Sequence, residues 1–502
     1  MTEISKFIKN TLIYGIGKGI RKFIGFFLFP FYTRALTPSD YGILDTLAVG
    51  IFIMTIVLSV GMDSATGRFF YVAKTEIEKG KVLFTGLVFR LLSIIPSVIL
   101  SLFSSQISIA LFDTDQYSWV VFLSLMLVPL QSLGSDQEHL FRYFFDPWKY
   151  NFVTILRIVI RVSLGIYLVL VLKEGVWGAQ LSTFITSVSI FFLSFFKFNR
   201  KRYYYQFSWY WAKKMLRYGY PLIFAGLGSW VCVYSDRLFL LHYHGTESVG
   251  LYGIGGKLAM TLQILAMAVN MSWGPHLMNK YESDTSKNKI ETKKLVSSVW
   301  RLFLIVSVTM ASFLSIFGFD IMKILVPPVY YAGVIVLPFI LFSKIFDQSV
   351  QVVGGGIELK MKTKHFAWIV PSMAVLNASM NFYFIPHYGI LGAAFTTIVA
   401  SLAQIIIVFN ISQSYFKVNI RIIRVVLYIG LVIIVSILIN FSEIRYDYSI
   451  STWLKALIFI VLTFTPFIVG VVSFKTLRKQ LHLSKKTVNK VTTNIIKKLT
   501  NK

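Results

Sequence analysis

Residues 42–63 read Gly42-Ile-Leu-Asp-Thr-Leu-Ala-Val-Gly-Ile-Phe-Ile-Met-Thr-Ile-Val-Leu-Ser-Val-Gly-Met-Asp63. Between Asp45 and Asp63 the stretch carries no charge. A helix needs roughly 20 apolar residues to cross a bilayer, and this one supplies them. Similar stretches recur at 10–36, 82–105, 118–138, 150–172, 175–196, 217–242, 248–274, 295–318, 332–353, 365–385, 389–413, 421–441 and 452–474. They are longer than barrel strands need to be, so they read as helices. The predicted class is an all-α integral membrane protein of about 14 transmembrane helices.

Composition agrees. Hydrophobic residues make up 56% of the chain and charged residues only 14%, far from the balance of a soluble chain. The formal charge of +28 could point to nucleic acid, but its distribution excludes that. The basic residues fall on alternate loops: Lys6 and Lys9; Lys74, Lys79 and Lys81; Arg200, Lys201 and Arg202; Lys280–Lys294; Lys360–Lys364; and the tail from Lys475. The opposite loops carry little beyond Arg34, Lys173, Lys323 and Arg445. Positive charge stays on the cytoplasmic side, so both termini are expected there. Cys232 is the only cysteine, which rules out a disulfide within the chain. No cleavable signal is evident, and the first span is expected to direct its own insertion. The Lys-rich tail over 483–502 reads either as a helix on anionic headgroups or as a solvated basic tail.

The chain repeats itself. Gly175-Val-Trp-Gly-Ala179 opens the sixth span and Gly389-Ile-Leu-Gly-Ala393 the twelfth. Tyr14-Gly15 answers Tyr218-Gly219, and Tyr41-Gly42 answers Val249-Gly250. These offsets predict two pseudo-symmetric six-helix lobes, 1–200 and 201–415, an accessory C-terminal pair of spans over 416–475, and a basic tail over 476–502. Two like lobes can rock about a central site, as alternating access requires. Pro30, Pro96, Pro129, Pro221, Pro338 and Pro371 lie within spans and bend or break helices.

Charges at membrane depth cost at least roughly 2.5–3.5 kcal/mol each and default to functional candidates. Lys18, Arg21 and Lys22 share one face of the first span; they either line a cavity or reach back to the interface. Arg157 and Arg161 are one turn apart in the fifth, and Arg90 lies in the third. Counted against Asp45 and Asp63 alone, these cations are in surplus, which suits a multivalent anion; arginine's planar fork matches phosphate. Lys257 is a further basic candidate. Asp63, Asp236 and Asp347 either hold a coupling H+ or Na+ or pair with nearby cations; Lys344 is placed to neutralise Asp347. Asp236 and Arg237 diverge around a helix and need not pair.

Other motifs fail. Gly253-Ile-Gly-Gly-Lys257 lacks the first glycine and the Ser or Thr of a phosphate loop and reads as a helix-packing run. His242 and His244 have no ligand cluster to complete a metal site. Arg200-Lys-Arg-Tyr-Tyr-Tyr205 adjoins a span and reads as an interfacial anchor. No cofactor or catalytic residue is expected.

Tyr32-Thr-Arg-Ala-Leu-Thr-Pro-Ser-Asp-Tyr-Gly42, the Gly-x-x-Gly-Ala starts and the basic loop between spans 6 and 7 resemble the Wzx-type polysaccharide flippases. These belong to the multidrug/oligosaccharidyl-lipid/polysaccharide exporter superfamily. The resemblance implies a non-enzymatic flippase of the bacterial inner membrane that carries an undecaprenyl-pyrophosphate-linked oligosaccharide (an O-antigen, capsule or exopolysaccharide unit) by alternating access, alongside membrane lipids and other polysaccharide-assembly proteins. It further implies a cationic cavity, with which Lys18, Arg21, Lys22, Arg90, Arg157 and Arg161 agree. Rival readings are an exporter of lipid II or teichoic acid in the same superfamily, or a membrane polymerase or glycosyltransferase. The short outward segments near Phe319–Tyr331 and Ser442–Ser451 count against an enzyme.

The charge pattern can be checked by cysteine labelling in a Cys232→Ser background. Thr114→Cys is expected to react with an impermeant maleimide in intact cells, and Ser286→Cys only after the membrane is opened. The reverse result would invert the topology.

Overall fold

The computed structural model describes residues 28–468 except 287–288, 361, 363, 420–421 and 447–449. The basic tail and most of the first predicted span, with Lys18, Arg21 and Lys22, lie outside the described residues. A helical stretch at 28–35 is the part of that span described. The helices that follow are α1 (Pro38–Ser59), α2 (Met62–Val72), α3 (Glu76–Ser101), α4 (Ser104–Phe112), α5 (Ser118–Tyr143), α6 (Pro147–Val171) and α7 (Gly175–Arg202). The remainder are α8 (Trp209–Ser283), α9 (Ile290–Ile316), α10 (Gly318–Leu325), α11 (Leu337–Val353), α12 (Lys364–Tyr415), α13 (Ile422–Tyr446) and α14 (Thr452–Ile468).

Helix starts are set by polar residues just outside the apolar runs. The Thr37 hydroxyl accepts from the Asp40 amide at 3.1 Å, while Asp40 accepts from the Thr37 amide at 2.9 Å. Pro38 takes the first helical position. This reciprocal cap satisfies two otherwise orphaned amides, so α1 starts four residues before the apolar run at Gly42. Thr75 and Glu78 cap α3 in the same way. Pro338 falls in the first turn of α11, where its missing N–H costs nothing.

Among the described residues, ten segments are long and apolar enough to cross a membrane. Two of these, of 55 and 52 residues, would run about 80 Å as straight helices, against a hydrocarbon core of about 30 Å. Each is broken at a glycine: α8 at Gly245 (φ 74°) and α12 at Gly389 (φ 52°). Those breaks lie where the sequence separates spans 217–242 from 248–274 and 365–385 from 389–413.

The Gly-x-x-Gly-Ala repeat is a repeat of backbone conformation. Gly175 and Gly389 adopt φ of 53° and 52°, a left-handed geometry that glycine alone adopts readily. Three residues on, Gly178 and Gly392 lie against the segment just left behind. A Cβ would stand 3.1 Å from the Leu168 carbonyl oxygen at Gly178 and 2.4 Å from that of Phe384 at Gly392.

The chain forms two compact units. The first comprises Met1–Ile264, Met322–Val336 and Val370–Ala400; the second comprises Leu265–Ile321, Leu337–Ile369 and Ser401–Lys502. Within the first, α5 packs against α1, α2, α3, α4, α6 and α7. The tightest approach there joins α1 to α8. A Cβ on Gly42 would sit 1.7 Å from the Thr246 carbonyl oxygen, and one on Gly250 would sit 1.9 Å from that of Pro38. These glycines answer one another in the repeat, and each comes within 3.1 Å of the other's amide nitrogen by the same measure.

Within the second unit, α9 packs against α11, α13 and α14. Lys455 of α14 is fully buried. Its ammonium lies 2.7 Å from buried Glu443 of α13 and also pairs with Asp320 of α10. The apolar pattern of span 452–474 conceals this lysine.

Gly42→Ala is expected to destabilise the protein by about 1–3 kcal/mol, because backbone lies opposite and cannot retreat. Gly50→Ala, with open space around it, is expected to be neutral or to gain up to about 1 kcal/mol of helix propensity. Thermal unfolding in detergent reads both; equal melting points would refute the crossing.

Candidate functional site

The first unit holds two charged clusters. One is built on Ser135-Asp136-Gln137-Glu138-His139, where α5 continues past the predicted span end at 138. Arg90 is fully buried, with Nη2 3.0 Å from Asp63 and Nη1 3.1 Å from Asp136. The Tyr203 hydroxyl donates to Asp136 at 2.8 Å, Gln137 donates to that hydroxyl at 2.8 Å, and Asn199 donates to Gln137 at 2.9 Å. Arg157 pairs with Glu138. The cationic surplus expected from the sequence is therefore corrected here. Asp136 and Glu138 sit at helical depth and face Arg90 and Arg157. Asp63, a candidate for cation coupling, is paired to Arg90.

The second cluster joins α1, α6 and α8. Arg237 pairs through Nε with Asp45, and its Nη1 lies 3.3 Å from Asp236. The adjacent Asp236 and Arg237 thus do meet. The guanidinium lies 5.3 Å from the Tyr234 ring and 5.5 Å from that of Tyr252. Half-buried Lys257 places its ammonium 3.6 Å from the centre of the Tyr41 ring, a cation–π contact. Asp45, Arg237 and Arg161 are within its electrostatic range, and Arg161 is exposed on α6. Gly253 makes room for the Asp45 carboxylate, 3.2 Å from where a Cβ would stand, and Gly255 packs on the Gly333 backbone. The run before Lys257 is therefore a packing surface, as its sequence suggests.

Arg237 engages both carboxylates, while Lys257, and Arg161 within electrostatic range of it, add positive charge. Among the described residues Lys257 and Arg161 form no ion pair. The local excess is positive, in a place where a multivalent anion would be drawn.

Beside Asp236 runs a buried polar network that sequence reasoning missed. Asn381 donates to Asn377 at 3.1 Å and to Ser235 at 3.3 Å; Ser235 donates to Asn377 at 3.2 Å; Thr396 donates to Asn381. The available signal was two asparagines one turn apart inside an apolar span. In the second unit, Asp347 accepts from Ser401 at 2.7 Å and lies 3.3 Å from Lys344, the neutralising pair expected from their spacing.

Removing one member of a buried ion pair costs about 3–5 kcal/mol, because the remaining charge is stranded. Arg90→Met is expected to lose folded protein, and Arg90→Met with Asp136→Leu to recover much of it. Monodisperse yield and melting temperature measure this; a stable single variant would show that Arg90 is not the hub.

A sequence profile described as polysaccharide biosynthesis protein matches residues 31–287. Lsg locus putative protein 1 of Haemophilus influenzae is 26% identical over 313 residues, covering 59% of this chain and 71% of its own length. An uncharacterized membrane protein of the same organism is 25% identical over 291 residues, covering 56% and 68%. Among solved structures, the lipid II flippase MurJ in an inward closed conformation superposes with a TM-score of 0.69 at 15% identity, covering 93% of this chain and 99% of that one. An inward-facing multidrug resistance MATE family transporter of the MOP superfamily gives 0.61 at 14% identity, covering 81% and 94%. With half of its length under that profile, the chain belongs to the polysaccharide biosynthesis protein family, and it shares the fold of these solved exporters.

Proposed function

We propose that the chain is a flippase for a lipid whose headgroup is a saccharide on a diphosphate, of the undecaprenyl-pyrophosphate class, moved by alternating access. The observation that carries the reading is the positive excess around Lys257 and Arg161, beside the Asp45–Arg237 pair at membrane depth. A diphosphate cannot cross hydrocarbon without compensating charge, and Arg and Lys provide it with charge-assisted hydrogen bonds. A cationic drug would be repelled there. Lys18, Arg21 and Lys22 lie outside the described residues and stay candidates on the sequence alone. Arg90 and Arg157, being acid-paired, would support the helices rather than touch the cargo.

The fourteen-span, two-lobe plan with cytoplasmic termini belongs to this proposal. It is supported by the matched glycine turns at Gly175 and Gly389 and by the reciprocal contact of Gly42 and Gly250. Asp63, Asp236 and Asp347 are each already matched with a cation, Arg90, Arg237 and Lys344 respectively, so a coupling H+ or Na+ at any of them would have to displace that partner.

Two cargoes fit this headgroup chemistry. The family description favours a polysaccharide repeat unit; the fold likeness to a lipid II flippase favours lipid II. Reconstituted protein given fluorescent versions of both would separate them by leaflet transfer. Arg161→Ala with Lys257→Ala is expected to slow transfer at least about tenfold, since each charge-assisted bond is worth roughly 1.5–3 kcal/mol, with no loss of melting temperature. Unchanged transfer by that double variant would remove the site, and transfer of neither lipid by wild type would remove the function.

A further inference from the structure

The segment after α7 reads Tyr203-Tyr-Tyr-Gln-Phe-Ser-Trp-Tyr-Trp211. Seven of these nine residues are aromatic. They form a strap along α3. Tyr204 presses its backbone on Gly80, where a Cβ would be 2.8 Å from the Tyr204 nitrogen. Tyr205 meets Phe84 edge-on at 5.4 Å, the Ser208 amide donates to the Thr85 hydroxyl at 3.2 Å, and Phe207 lies against Phe89. Tyr203, tied to Asp136, and Trp211 are its buried ends. The stretch between them is open: Tyr204, Tyr205, Phe207, Trp209 and Tyr210 are all exposed, Trp209 and Tyr210 by 60% each.

Along the chain on both sides of these rings the charge is of one sign. From Lys197 to Ser235 the chain has no acidic residue, while Lys197, Arg200, Lys201, Arg202, Lys213, Lys214 and Arg217 are basic. Arg202 is taken by Asp146. Among the described residues, Arg200, Lys201, Lys213 and Arg217 pair with no carboxylate and are exposed. Two lysines lie over strap rings, Lys81 at 5.5 Å from Tyr204 and Lys214 at 4.0 Å from Tyr210. Tyrosine and tryptophan sit at headgroup level, with rings among acyl chains and polar edges in water. Clusters of Lys and Arg beside a span attract anionic lipid, with a contribution that adds up residue by residue.

We propose that the strap and the cations around it form a docking surface for anionic phospholipid headgroups. The rings set the depth of this face in the membrane, and the ammonium and guanidinium groups hold lipid phosphates beside it. Zwitterionic lipid satisfies the rings equally well but brings its own cation, so the surface discriminates by headgroup charge.

The test uses the full chain in detergent, titrated with phosphatidylglycerol, phosphatidylcholine or undecaprenyl diphosphate and read by native mass spectrometry. Phosphatidylglycerol is expected to bind at least about fivefold more tightly than phosphatidylcholine, with salt weakening only the former. The variant Lys201→Gln, Lys213→Gln, Lys214→Gln and Arg217→Gln is expected to abolish the preference. A control variant Lys293→Gln, Lys294→Gln, Lys360→Gln and Lys364→Gln is expected to keep it. Should the first variant fold poorly, Lys213→Gln with Lys214→Gln and the salt dependence of wild type decide. Equal binding of the two phospholipids, or a preference that survives loss of the strap cations, overturns the proposal. So does loss of undecaprenyl diphosphate alone in the strap variant, which would assign the surface to a diphosphate lipid.

Discussion

An ionised side chain inside a bilayer must meet an opposite charge or water, and this rule organises the charged interior of the chain. Arg90 lies between Asp63 and Asp136 and draws α2, α3 and α5 together, with Tyr203 extending the contact to the strap beyond α7. Lys455 does comparable work between Asp320 and Glu443 at α10, α13 and α14. In each case one cation faces two carboxylates, so a small number of charges fixes several helices that apolar packing alone would leave free to slide.

The cluster at Asp45, Arg237 and Lys257 is balanced differently. Arg237 already takes both Asp45 and Asp236, so Lys257, with Arg161 in electrostatic range, tips it positive. The glycine crossing of α1 and α8 brings it together. Gly42 lies one turn before Asp45, Gly250 one turn before Gly253 and two before Lys257. Because Gly42 and Gly250 let the two backbones touch, the faces that follow them meet. Asp45 fits over Gly253, and Tyr41 lies beneath the Lys257 ammonium. Residues without side chains thus position residues whose side chains carry charge. A neutralised hub and a cluster with positive charge to spare thus lie within one compact unit.

The helices were largely legible because the bilayer reads length and apolarity, which are properties of a contiguous string. The starts and breaks were legible wherever a local device marks them: Thr37 with Asp40, Thr75 with Glu78, and the glycines at 175 and 389. The candidate site was legible only in part. Lys257 and Arg161 stood out as charges in apolar runs. Asp136, Glu138 and Lys455 did not, because each lies near a span end, where a charge normally reaches water and draws no notice. Asn377 and Asn381 were missed because uncharged amides scarcely lower the apolarity of a span.

From the amino-acid order alone came the membrane class, the approximate spans, the repeat and the excess of basic residues on alternate loops. Each depends on neighbours in sequence or on a sum over them. The tertiary structure decided which charges face one another. It turned Arg90 and Arg157 toward acids on α5, and it left Lys257 and Arg161 beside a pair already complete. Charge pairing is a matter of distances across helices of about 3 Å, set by where glycines let backbones meet, and no linear pattern records those distances.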